Sequence, residues 1–103
     1  MPRRNVKYPV ATTVRPVGDN PLVCTYHSTD VVIVRADGGV RLDSGGYDTA
    51  TTKHRMNQYS PDWVGVYQHK HKWFVTIEGR EDNIPFKDNM IVYADGHYVT
   101  EIR

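Results

Sequence analysis

Apolar and polar residues alternate along most of this chain. Where the alternation stops, the apolar positions come in short β-branched runs, so strands dominate the reading. Val40 and Leu42 point one way while Arg41 and Asp43 point the other, and Trp73, Val75 and Ile77 share a face opposite Phe74 and Thr76. The unbroken run Val31-Val32-Ile33-Val34 is expected of a central strand covered on both sides. Further strands are predicted over residues 22–26, 62–68, 90–93 and 98–102, with residues 84–86 returning to the core. Asp37-Gly38-Gly39 and Asp95-Gly96 mark hairpin turns, and His69-Lys70-His71-Lys72 forms the tip of another. Ahead of these, residues 10–14 can form an edge strand behind Pro9, and the rest of the N-terminal stretch reads as an extended arm. The turn cluster Gly18-Asp19-Asn20-Pro21 sets the boundary between a basic arm, residues 1–20, and one β-rich domain, residues 21–103. About six or seven short strands joined by hairpins predict an α+β, mostly β fold. Its expected form is a small curled antiparallel sheet or partly open barrel with one short helix.

The exception to the strand pattern is residues 42–59, LDSGGYDTATTKHRMNQY, around which the rest of the chain is organised. Gly45 and Gly46 permit positive φ and can gather backbone N–H groups into an anion-binding concavity. Thr51 or Thr52 is expected to cap a helix over residues 53–59, which stops because Pro61 biases Ser60 away from helical geometry. Lys53 and Arg55 lie near the start of that helix, where an acidic residue is the usual choice. A phosphate would supply the missing negative charge. The plainer reading makes Thr51 and Thr52 ordinary caps and Lys53 and Arg55 solvated cations, with Met56 and Tyr59 packing on the sheet.

Length and charge narrow the classes. A chain of 103 residues holds one modest core. Its longest apolar run is too short for a membrane span, and no signal-peptide core is seen, so a soluble intracellular protein is expected. Cys24 stands alone, which excludes an internal disulfide and suits a reducing compartment. Lying in a strand-like run, it reads as a small buried hydrophobe. Net charge is +1, which excludes a strongly basic coat protein and an acidic DNA mimic. The basic charge is concentrated early: residues 1–60 hold eight Lys or Arg against five Asp, residues 61–103 five against seven acids.

His69 and His71 form an H-x-H pair that, on one face of a strand, could share a metal ion. A structural zinc site needs four ligands, and no other spacing in the chain supplies them, so the HKHK tip is read as a basic turn. It can add a phosphate contact, with Trp73 or Tyr67 as a stacking surface. The phosphate loop, the G-x-S-x-G elbow and H-E-x-x-H are all absent. No catalytic residue, metal or cofactor is assigned, and the protein is read as a non-enzyme.

The succession H-x-T-x-V-V from His27, then D-G-x-V-x-L-x-S-G-G-aromatic-x-T-x-T-T-K-x-R-M-N from Asp37 to Asn57, then Gln68, Trp73 and Val75, resembles a family of small proteins of tailed bacteriophages. The likeness covers about residues 22–93 and brings no activity with it. It implies a phage origin and action in the host cytoplasm, and favours a small accessory role over metabolism. On this reading the chain binds DNA or RNA through Ser44, Gly45, Gly46, Thr49, Thr51, Thr52, Lys53, Arg55 and Asn57. Tyr47, Tyr59, His69, Lys70 and Lys72 are secondary contacts. The alternative is an inhibitor or adaptor that presents the polar helix to a host protein with Tyr47 and Tyr59 as anchors. A weaker alternative is a pocket for a free nucleotide or signalling phosphate. The oligomeric state is not fixed by any of these features.

Overall fold

The computed structural model describes residues 12–46 and 49–100. The elements follow in the order β1 (Thr12–Val17), β2 (Asn20–Tyr26), β3 (Thr29–Val34), β4 (Val40–Leu42), α1 (Ala50–Tyr59), β5 (Val64–His69), β6 (Lys72–Ile77), β7 (Ile84–Pro85), β8 (Met90–Val92) and β9 (Tyr98–Val99). The mostly β, α+β class with one short helix is therefore the fold. The strands divide into two antiparallel sheets, ordered β1-β2-β3-β4-β8-β9 and β5-β6-β7, and neither closes into a barrel.

The helix explains the division. After β4 the chain leaves the larger sheet through α1, so the β5–β6 hairpin starts a sheet of its own, and β8 returns to pair with β4. The two sheets meet in one apolar cluster. Val32, Leu42, Met90 and Val92 come from the larger sheet, Val75, Ile77 and Ile84 from the smaller, and Met56 from the helix. Each is buried, contributing about 1.5–3 kcal/mol per large aliphatic side chain. The predicted alternation holds at Val40 and Leu42, which are buried on either side of half-buried Arg41.

Two boundaries differ from expectation. Among the described residues the Gly18-Asp19 turn joins β1 to β2 within the larger sheet, where the edge strand expected over residues 10–14 covers Thr12–Val17. Pro16, which cannot donate to the ladder, sits where the β1 register shifts between Arg15 and Val17, at the outer edge of the sheet. The helix starts three residues before the predicted Lys53. Thr49 is its N-cap, taking the N–H of Thr52 on its side-chain oxygen, so Thr51 and Thr52 lie inside the first turn. Its end at Tyr59, with Ser60 extended (φ −81°, ψ 155°) before Pro61, is as expected.

The β2–β3 and β5–β6 hairpins both close in tight two-residue turns. Tyr26 pairs with Thr29 around His27-Ser28, and His69 pairs with Lys72 around Lys70-His71. All four turn residues are left-handed, with φ of 51°, 68°, 52° and 68° in chain order. This is the mirror-image turn that matches strand twist, usually filled by Asn-Gly.

Candidate functional site

The Ser44-Gly45-Gly46 turn was expected to offer free amides to an anion, and the structure shows them already bound. Ser44 donates both its N–H and its hydroxyl to Asp88 Oδ1, each at 2.8 Å. Gly45 N–H donates to Asp43 Oδ1 at 2.9 Å, and Gly46 N–H to Ser44 Oγ at 3.1 Å. The concavity is therefore satisfied by the protein's own carboxylates and the Ser44 hydroxyl, and Ser44 is buried. Gly45 is left-handed, and a Cβ there would lie 2.3 Å from Thr29 Oγ1, so the turn is pressed against the start of β3.

The helix divides its candidate residues among three directions. Thr52, Arg55 and Met56 form the buried face. The Thr52 hydroxyl lies 3.1 Å from Thr49 Oγ1, while Arg55 donates through Nη1 to Gln58 Oε1 at 3.3 Å and leaves its buried Nε without a partner. Arg55 is thus not a solvated cation at the helix start; it is a guanidinium in the second turn, 7 % exposed. Its charge opposes the burial that pushes the Cys24 thiol up to about 11, to which Asp30 adds. Asn57 turns toward the smaller sheet: its amide donates to Val66 C=O and accepts from Val66 N–H, both at 2.8 Å. Thr51 is exposed, and so is Thr49.

Lys53 leads elsewhere. Its ammonium donates to Gln68 Oε1 at 3.4 Å and stands 6.0 Å from the centroid of the Trp73 ring. Gln68 and Trp73 face each other across the β5–β6 hairpin. Trp73 in turn accepts the Phe86 N–H on its carbonyl and meets the Phe86 ring at 5.4 Å, tilted by 59°. Gln68, Trp73 and Phe86, with His71, Lys72, Phe74 and Pro85, line a cleft of about 460 Å³. Among the described residues neither Lys53 nor Lys72 makes an ion pair. The site therefore combines half-buried rings, one amide and unpaired cations, the chemistry that holds a flat π system carrying negative charge.

Other candidates fall around or away from this cleft. Lys70 and His69 are exposed at the hairpin tip beside it. His71 is in the turn, not on the strand face of His69, so the H-x-H pair does not have the alternation that a shared metal would use. Among the described residues no three His, Cys, Asp or Glu side chains are grouped to hold a metal ion. Tyr59 is partly buried against the core, and Tyr47 lies outside the described residues. Phe86 and Pro85 were missed by sequence reasoning because they arrive from β7 and the residue after it, and no local signal links them to Trp73. The Asp43 contact did have a signal: an Asp two residues before Gly45 is the pattern of an Asx turn.

Among the described residues no helix is long and apolar enough to cross a membrane. A family model, Kyanoviridae Gp96 protein, matches residues 3–94. No curated protein and no solved structure matches.

Proposed function

The chain belongs to the Kyanoviridae Gp96 protein family, a cyanophage family, and from that premise we propose that it is a non-enzymatic accessory protein that binds single-stranded nucleic acid at the Trp73 cleft. The observation that carries this is the Lys53 ammonium, 6.0 Å from the centroid of the Trp73 ring, beside a cleft lined by Trp73, Phe86 and Lys72. A base enters against the indole, and Lys53, Lys70 and Lys72 take the neighbouring phosphates. Only an unstacked base can reach rings that are half-buried in a concave site, which favours single strands over duplex. The phosphate contacts thus move from the Gly-Gly turn to the flank of the helix.

The test is titration of the protein with labelled single-stranded DNA, single-stranded RNA and duplex DNA at two salt concentrations. Single strands should bind more tightly than duplex. About three phosphate contacts give a slope near −2 in log affinity against log salt. No binding of any of the three at low salt overturns the proposal.

A protein partner is the second reading. It is favoured by β9, an edge strand of the larger sheet on which Tyr98 and Val99 are both exposed. An extended segment of a host protein could add to that edge through backbone hydrogen bonds. This reading expects no nucleic-acid affinity.

A further inference from the structure

A second cleft lies at the N-cap of the helix. It has a volume of about 540 Å³ and is lined by Tyr26, His27, Ser28 and Thr49. Its ring pair, Tyr26 and His27, has centroids 4.4 Å apart at 57°, and it stands at the tip of the β2–β3 hairpin, as the Trp73 cleft stands beside the tip of β5–β6. The helix links the two. Thr49 lines the second cleft, Lys53 reaches Gln68 and Trp73 of the first, and the Lys53 N–H donates to the Thr49 carbonyl at 3.1 Å. Residues four apart on a helix share a face, so the residue that lines the second cleft and the one that reaches the first are one turn apart, about 6 Å of rise.

Resting on the nucleic-acid reading above, we infer that the two clefts hold bases of one continuous single strand, with Thr49 and Lys53 beneath the backbone between them. One base stacks in the Trp73 cleft, and a neighbouring base stacks on the Tyr26–His27 pair. The Lys53 ammonium meets the intervening phosphate, one helical turn from exposed Thr49. The Thr52 N–H is taken by Thr49, so the second cleft recognises through rings and hydroxyls and not through a helix amide. The preferred ligand is then a short oligonucleotide, not an isolated nucleotide.

The experiment measures affinity of the full chain for thymidine 5′-monophosphate and for oligothymidylates of increasing length up to the octamer. Affinity should rise at least tenfold between the monomer and the length that reaches both clefts, then level off. His27→Gly removes a ring while suiting the left-handed backbone there, so it keeps the hairpin folded. It and Tyr26→Ala should each weaken octamer binding about tenfold and leave monomer binding unchanged, whereas Trp73→Ala should weaken both. Equal affinity for monomer and octamer overturns the inference, and so does octamer binding that ignores both cleft variants. In either case the nucleic-acid reading itself survives. Absence of binding at every length overturns both.

Discussion

The side-chain amide of Asn57 and the backbone of Val66 exchange two hydrogen bonds, one in each direction, both 2.8 Å long. The amide stands where a further strand would pair with β5, an edge strand of the smaller sheet, and so pins α1 to it. Asn57 is therefore a structural residue in a motif that reads as polar and functional. Asn57→Ala should lower stability by about 1–3 kcal/mol, because it leaves the Val66 N–H and C=O without partners. Asn57→Asp should also destabilise, since a carboxylate cannot donate to the carbonyl. Urea unfolding measures both, and the nucleic-acid affinity of the folded variants should be unchanged.

The two glycines of the Ser-Gly-Gly turn should respond unequally to alanine. Gly45 (φ 65°) and Gly46 (φ 85°) are both left-handed, but only Gly45 is pressed on a neighbour, Thr29. Gly46→Ala should cost about 1–2 kcal/mol from backbone strain alone. Gly45→Ala should cost more, because Thr29 or the turn must also move. Thermal unfolding of the two variants in parallel checks the order.

Arg55 and Lys53, two residues apart, should give opposite phenotypes. Replacing the buried Arg55 by Met removes an incompletely satisfied guanidinium and keeps the volume, so stability should hold or rise. Arg55→Ala should lower it, because the space is left empty. Lys53→Ala should leave the melting temperature nearly unchanged and weaken nucleic-acid binding. Melting curves combined with binding titrations separate the two residues.

Cys24 should be inert in the native protein. With its thiol pushed up to about 11 by burial, little thiolate exists at pH 8, and disulfide reagents should label it only on unfolding. The linkage has a definite sign. Above the thiol's ordinary value of 9.0 the unfolded chain loses the proton while the folded one keeps it, so stability falls as pH rises from about 9 to 11. Cys24→Ala should flatten that part of the stability curve against pH.

Much of the fold was legible because its causes are local. The β-branched run at residues 31–34, the Asp-Gly-Gly turn and the alternation at Val40 and Leu42 each act within a few residues; each forms as read, except that only the Val31 and Val32 end of the run is fully buried. The helix start was missed because Thr49, Thr51 and Thr52 are equivalent as caps by residue type. Only the Thr49 conformation (φ −106°, ψ 161°) and its bond to Thr52 distinguish it. The surroundings of the candidate residues were hidden for a different reason. Whether the Ser44 amide and hydroxyl are free depends on Asp88, which is 44 positions away. Whether Lys53 is solvated depends on where the β5–β6 hairpin packs, and whether Trp73 forms a cleft depends on Phe86. Such contacts between distant segments have no signature in residue type or spacing.

The most direct measurement is a double-mutant cycle on Lys53 and Trp73, read as affinity for single-stranded octathymidylate across a range of salt. Trp73→Ala should weaken binding by about 1–3 kcal/mol at every salt concentration, since it removes a stacking surface. Lys53→Ala should also weaken it and make the salt slope shallower by about 0.7. The two changes together should differ from the sum of each alone, because the cation and the ring act on one nucleotide. Affinity that survives Trp73→Ala unchanged, or a salt slope indifferent to Lys53, would contradict binding at this cleft.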